Sequence, residues 1–186
     1  MIRIFDVLIS LCLIIIVGPL LVICAAAIKL DSEGPVIFRQ KRVGYDEKLF
    51  DLLKLRTMCL DAEKIGPRST SVGDVRITRV GSFLRRWSLD ELPQLWNVLR
   101  GQMSLVGPRP ATVDQIHSYP GVTWQRRHSV KPGITGLAQI VNRSSGSNKQ
   151  NRRLDLVGVS RANNPCVYLH ILMLTAMSVL TVKNTN

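Results

Sequence analysis

The longest apolar run comes first: from Val7 to Ile28 there are 22 consecutive residues in which Ser10 carries the only polar side chain. As a helix this run extends about 33 Å at about 1.5 Å per residue, enough to cross the hydrocarbon of a bilayer. It exceeds the roughly 7 to 15 apolar residues usual in a signal peptide. Basic residues flank both ends, Arg3 before it and Lys29, Arg39, Lys41 and Arg42 after it, so charge assigns no orientation. Midway lies Gly18-Pro19, where proline removes a backbone donor and crowds the preceding turn, which predicts a kink. A spanning anchor and a re-entrant hairpin with both ends on one side remain open on these features.

Shorter patterns follow. Val36-Ile37-Phe38 and Leu49-Phe50-Asp51-Leu52-Leu53 flank Gly44-Tyr45-Asp46-Glu47, which predicts a β-hairpin. Gly66 to Asp74 is rich in turn-forming residues and reads as a loop, as does the polar stretch from Asn142 to Asn151. Between Arg76 and Trp87, apolar Ile77, Val80, Leu84 and Trp87 recur at helical spacing while Arg76, Arg79, Arg85 and Arg86 occupy other faces. This amphipathic basic helix can pack on a core or lie among lipid headgroups. Leu92, Leu95, Trp96 and Leu99 predict a further short helix stopped at Gly101, capped either by Ser88 with Glu91 or by Asp90. Val167 to Val182 is a second apolar stretch, 16 residues long, too short to span comfortably. It reads as a helix packed on the first membrane element or lying in the interface.

Composition narrows the function classes. A chain of 186 residues fits one compact catalytic domain with a membrane element attached, which divides it into 1–30 and 31–186. Lys and Arg outnumber Asp and Glu by 25 to 13, and after Asp114 the only acid is Asp155. The C-terminal part therefore faces something anionic: a phosphorylated substrate, an anionic leaflet or nucleic acid. Cys12, Cys24, Cys59 and Cys166 show no metal-ligand spacing. His117, His128 and His170 are scattered and read as surface or interfacial residues without a role.

The chemistry concentrates at Asp90-Glu91. Position alone favours a helix cap, because acids complement the positive helix end. The neighbouring Arg85, Arg86 and Arg109, with the turn Gly107-Pro108-Arg109-Pro110, change that balance. Guanidinium forks match phosphate oxygens, a carboxylate beside them stays ionised, and an ionised carboxylate can attack phosphorus while its neighbour holds Mg²⁺.

Several segments together resemble the bacterial sugar transferase family, the monotopic phosphoglycosyl transferases. They are Gly34-Pro35-Val36, Gln40-Lys41-Arg42-Val43-Gly44, Lys54-Leu55-Arg56-Thr57-Met58, Arg76 to Gly81, Ser88 to Leu95, Asn97-Val98-Leu99, Met103 to Pro110 and Pro132 to Gln139. They run in family order over nearly the whole chain. The resemblance implies an α+β, mainly helical fold with an N-terminal re-entrant membrane helix turning at Gly18 and Pro19, a small β-hairpin and amphipathic interfacial helices around a catalytic domain. It implies a place at the bacterial inner membrane with that domain on the cytoplasmic face.

The implied reaction transfers a sugar phosphate from a UDP-sugar to polyprenyl (undecaprenyl) phosphate with release of UMP. This step initiates exopolysaccharide, O-antigen or glycoprotein glycan assembly. Asp90 would be the nucleophile forming a phosphosugar ester, Glu91 the Mg²⁺ ligand, and Arg85 and Arg109 the phosphate holders, with Lys54, Arg56 and Gln139 as further phosphate-binding candidates. Membrane lipid is the other expected partner; nucleic acid is not. This chain departs from the family pattern at Gly18 in place of a serine, Gln102 in place of an aspartate, Gly158 in place of a tyrosine, and His170 in place of an acid. The rival from another class is a membrane-anchored basic module that binds nucleic acid or anionic lipid without catalysis, which predicts salt-sensitive binding.

Overall fold

The computed structural model describes residues 2–66, 73–142 and 148–180. Most of the Gly66–Asp74 loop expectation falls on 67–72, outside the described residues. The architecture is mainly helical around two small sheets. Helix α1 runs over Ile2–Asp31, followed by strands β1 (Ile37–Val43) and β2 (Leu49–Leu55), then α2 (Ala62–Ile65), α3 (Arg79–Arg86) and α4 (Gln94–Leu99). Strand β3 (Ser104–Val106), α5 (Gly121–His128), β4 (Gly133–Thr135), α6 (Leu137–Val141), α7 (Asn148–Ser160) and α8 (Pro165–Leu180) complete it.

Helix α1 contains Pro19 and runs on through it. Ile15, Ile16, Val22 and Ile23 stand exposed, which is the surface expected of a helix that meets lipid rather than water. Both ends are tied to the same folded domain. Near the start, Arg3 donates to the carbonyls of Val98 (2.6 Å) and Leu99 (2.9 Å). One turn on, the buried Asp6 carboxylate accepts from Ser104 Oγ, Leu105 N–H and the Tyr168 hydroxyl. At the far end Arg56 donates to the carbonyl of Ser32 (2.7 Å), and Asp31 accepts the Val80 N–H (3.1 Å). Cys24 and Ile28 pack there against Leu55 and Leu84.

The expected hairpin is present and longer than the apolar segments suggested, with Ile37 opposite Leu55 and Val43 opposite Leu49. A strand turns successive side chains to opposite faces, so Gln40, Arg42, Leu52 and Lys54 share one face in this register. Leu52 is buried in a core with Phe50, Leu95, Val98, Met103, Leu105 and Tyr168. Asn97, fully buried, fastens α4 to β2: its Oδ1 accepts the Leu53 N–H, and its amide donates to the Asp51 carbonyl and to Gln102 Oε1. Gln102, where the family pattern has an aspartate, thus serves the packing of this turn.

Several expectations are corrected. The basic helix starts at Arg79, capped by Thr78 Oγ1, which accepts the Gly81 N–H; Arg76 is held outside it by an ion pair with Asp74 (2.6 Å). Neither proposed cap of the next helix forms. Ser88 takes a left-handed conformation (φ 55°), Leu89–Glu91 makes its own 3₁₀ turn, and α4 begins after Pro93 with no side-chain cap. Glu91 is instead taken up by the Lys54 ammonium at 2.8 Å, and Asp90 is buried in the turn. The Asn142–Asn151 loop is shorter than expected, because Asn148–Asn151 belong to α7, with 143–147 outside the described residues. His128 is buried rather than at the surface: its Nδ1 bonds the Trp124 carbonyl and its ring lies 4.1 Å from the Trp124 ring. His170 is exposed on α8.

Helices α2, α5, α6 and α7 were not foreseen, and two further features join them. Strands β3 and β4 pair in parallel, Ser104 with Gly133 and Val106 with Thr135. Glycine permits this approach, since a Cβ on Gly133 would lie 2.0 Å from the Gly107 nitrogen. The second is a buried ion pair joining α5 to α7, Arg127 Nε to Asp155 Oδ2 at 2.9 Å, whose guanidinium also donates to the Arg109 carbonyl. Burial pushes the Asp155 carboxyl above its ordinary value, with Arg127 pulling the other way.

Two predictions concern stability. A Cβ at Gly81 would stand 2.0 Å from the Thr57 carbonyl oxygen, whereas Gly158, in the last turn of α7, has its nearest neighbour at 4.0 Å. Gly158→Ala is expected to stabilise the protein by about 0.5–1 kcal/mol, and Gly81→Ala to destabilise it by at least about 1–3 kcal/mol, read as melting temperatures in detergent. Replacing Asp155 by Ala leaves Arg127 buried and unpaired and should cost about 3 kcal/mol. The double replacement Arg127→Met/Asp155→Leu should cost less than the single one, which a double-mutant comparison of melting curves reads directly.

Candidate active site

Asp90 and Glu91 sit in the 3₁₀ turn between α3 and α4, packed against β2. The turn is short because Pro93 supplies no backbone donor and the left-handed Ser88 redirects the chain just ahead of it. Strand alternation brings Lys54 to the same place. Its ammonium lies 2.8 Å from Glu91 Oε1 and 4.0 Å from Asp90 Oδ2, so one cation serves both acids. Arg109 reaches Glu91 Oε1 from the opposite side at 3.4 Å. Arg85 donates from Nε to Thr57 Oγ1 (2.8 Å) and its charge favours the ionised form of Asp90.

The two carboxylates are tuned in opposite directions. Burial pushes Asp90 up from its ordinary value, and the adjacent Glu91 adds to this, against the pull of Lys54 and Arg85. Glu91 is also penalised by burial, yet Lys54, Arg109 and Arg42 together draw it below its ordinary value. Arg85 in turn is lowered by burial, which Asp90 and Asp74 counter. Asp90, 8% exposed, is therefore the more basic and less solvated acid, and Glu91 the one held firmly as an anion.

In front of Glu91 opens a cleft of about 250 Å³ lined by the side chains of Arg42, Leu52, Lys54, Gln94 and Arg109, with Pro110, Gly133 and Ile134 closing its floor. Arg42 also holds the wall in place, donating to the Pro110 carbonyl at 3.1 Å and to Gln40 Oε1. Three cations around one carboxylate suit a ligand with more than one negative charge. The sequence singled out neither Arg42, seen as a basic flank of the apolar run and part of a motif, nor Gln94, part of a motif, as a site residue. The hairpin register could have found Arg42, which sits two residue pairs from Lys54 on the same face.

Of the residues singled out beforehand, Asp90, Glu91, Lys54, Arg85 and Arg109 come together. Arg56 does not: it is 6% exposed and bound to Ser32 and Ile28 beneath the end of α1. Gln139 lies under the Gly107–Gly136 contact, with both amide atoms enclosed and without a hydrogen bond among the described residues. Gly18 and Pro19 lie within α1, distant in sequence from the cleft's walls. A divalent cation fits the donor set. Two adjacent carboxylates offer hard oxygen ligands, the described residues gather no third acid, His or Cys with them, and Mg²⁺ takes one or two carboxylates with substrate phosphates completing its shell.

Comparison with known proteins identifies the family. A protein named UDP-glucose:undecaprenyl-phosphate glucose-1-phosphate transferase from Caulobacter vibrioides is 49% identical over 140 residues, covering 74% of this chain and 52% of that protein. One of the same name from Klebsiella pneumoniae is 47% identical over 140 residues, covering 74% of this chain and 30% of its own length. An exopolysaccharide production protein, PSS, from Rhizobium leguminosarum bv. phaseoli is 42% identical over 144 residues, 74% of this chain and 72% of that protein. The chain thus spans about half of the Caulobacter relative and under a third of the Klebsiella one. The family model described as bacterial sugar transferase matches residues 1–182, so the acid pair and its ring of cations stand in a chain that belongs to the bacterial sugar transferase family.

Proposed function

We propose that this protein transfers a sugar phosphate from a UDP-sugar to undecaprenyl phosphate, with release of UMP. The observation that carries the reading is the Lys54 ammonium placed between two adjacent carboxylates of opposite tuning, in a cleft ringed by arginines. The names of the relatives supply the substrate class. The rival of a basic binding module finds no support among them.

In the first step an Asp90 carboxylate oxygen attacks the sugar-bearing phosphorus; the bond from that phosphorus to the bridging oxygen breaks, and UMP leaves with the bond's electron pair. Asp90 then carries the phosphosugar as an acyl phosphate. In the second step a phosphate oxygen of the carrier lipid attacks the same phosphorus and frees the Asp90 carboxylate, giving a polyprenyl diphosphate sugar. Partial burial makes Asp90 the better nucleophile, since a poorly solvated, more basic carboxylate gives up less hydration on attack. Lys54, Arg85 and Arg109 hold the diphosphate and balance the charge that gathers on its equatorial oxygens. Glu91 would hold Mg²⁺, which when bound neutralises diphosphate charge.

The membrane reading rests on α1. Because both its ends are bonded to one domain, both stay on that domain's side of a bilayer, which supports a re-entrant helix turning near Gly18-Pro19 over a spanning one. Exposed Phe83, Trp87, Trp96, Leu169, Met173 and Met177 on α3, α4 and α8 fit interfacial helices. An inner-membrane location with the domain in the cytoplasm, where UDP-sugars occur, completes the reading, along with a role in initiating polysaccharide assembly.

Asp90→Asn keeps the shape but removes the nucleophile. It is expected to lower UMP release from UDP-sugar by at least about 10³-fold, roughly 4 kcal/mol of barrier, in nanodiscs supplied with carrier lipid; release at the wild-type rate would refute the nucleophile assignment. Chelation of divalent ions should abolish UMP release and Mg²⁺ restore it. Glu91→Gln should raise the Mg²⁺ concentration for half-maximal rate by about tenfold or more, measured by Mg²⁺ titration at saturating UDP-sugar.

A further inference from the structure

Gln94 opens α4 three residues after Glu91 and is 3% exposed, yet its amide has no hydrogen-bond partner among the described residues. It lines the cleft beside Lys54, Glu91 and Arg109. The amide faces the cleft rather than a protein partner, so it is open to an occupant of the cleft. Asn97, one turn along the same helix, shows the contrast: that amide is fully spoken for by Leu53, Asp51 and Gln102.

The other polar side chains of the cleft are all charged, and they suit the phosphates. Gln94 is the one neutral hydrogen-bonding side chain there, offering a donor and an acceptor in a single plane. We infer that Gln94 is a substrate-binding residue that pairs its amide with a neutral donor–acceptor edge of the nucleotide sugar, an inference that rests on the transferase reading above. Three parts of that ligand carry such an edge: neighbouring hydroxyls of the transferred sugar, the ribose diol, and the imide N–H and carbonyl of uracil.

The test uses the whole chain in nanodiscs and the substitution Gln94→Met, which keeps the length of the side chain and removes its polar atoms. Calorimetric titrations with UDP-glucose, UDP-N-acetylgalactosamine and UMP are run on wild type and variant, alongside melting curves. The expected result is nucleotide-sugar binding weakened about tenfold, with a melting temperature equal to or above that of the wild type, because no protein partner is lost. If UMP binding weakens equally, the edge is on the nucleoside; if UMP is unaffected, it is on the transferred sugar. Affinities all within twofold of wild type overturn the inference, as does a wild type that binds none of the three ligands. So does a lowered melting temperature with unchanged binding, which would make the amide structural. A wild type that binds UDP-sugar but releases no UMP refutes the transferase chemistry and leaves the Gln94 assignment to stand or fall on the titrations.

Discussion

An apolar helix of 30 residues is held at both ends by polar bonds to a single domain, and the placement of the site follows from that clamp. Buried polar groups demand partners, and each pair here is specific in direction: Arg3 satisfies the last carbonyls of α4, Asp6 collects three donors from β3 and α8, and Arg56 caps the far end. Sliding α1 along its axis would break all of these together. The turn carrying Asp90 and Glu91 lies between α3 and α4, the two helices that α1 contacts on either side of it. Whatever surface the exposed face of α1 meets, the acid pair therefore stays at a fixed distance from it. A lipid-bound acceptor and a water-soluble donor can meet at one carboxylate only if that distance does not drift.

Within the cleft, two neighbouring acids would repel each other were it not for the shared cation. Lys54 sits close to Glu91 and at the edge of contact with Asp90, and this inequality divides the labour. The acid with the near cation and a second arginine is held as a stable anion, suited to binding. The acid with the farther cation has its burial penalty only partly offset, which in the proposed reaction makes it the better placed to bond phosphorus. Adjacent positions in one short turn acquire different roles through their surroundings, as carboxylate pairs in other sites do.

Much of this was legible in the sequence where a period or a punctuation mark carried it. The hairpin, the basic helix α3, the apolar α8 and the long α1 all follow from spacing, and the acid pair with Lys54, Arg85 and Arg109 follows from ordered motifs. What escaped is non-local. Strands of three residues, 104–106 and 133–135, are too short to show a period, and their pairing depends on two glycines far apart in the chain. Arg56 was grouped with the phosphate binders because residue type does not reveal which way a side chain points from its strand; two positions from Lys54, it ends beneath α1 instead. The capping motif at Ser88 misled for a related reason, since a helix-start pattern and a catalytic turn use the same acids and only the tertiary cations distinguish them. Asp6 offered a weaker signal: a lone acid immediately before a membrane-length run has to find buried donors or stay out of the membrane.

The glycine contact between β3 and β4 also explains how Arg109 can be both fixed and free. The Gly107 N–H bonds the Thr135 carbonyl, the Gly133 N–H bonds the Pro108 carbonyl, and the buried Arg127 holds the Arg109 carbonyl from behind. The backbone on either side of Arg109 is thus tied at three points, while its side chain remains 57% exposed with only a 3.4 Å contact to Glu91. Such a contact, shared with water, is worth less than about 1 kcal/mol and is readily exchanged for a bidentate bond to phosphate. A guanidinium anchored through its backbone but weakly engaged at its head could, in the proposed reaction, follow the phosphate from donor to enzyme to acceptor without moving the turn that carries it. Lys54, 17% exposed and wedged between two acids, has no such latitude. In the proposed reaction the two cations would therefore divide the work, one setting the tuning of the carboxylates and the other tracking the group that is transferred.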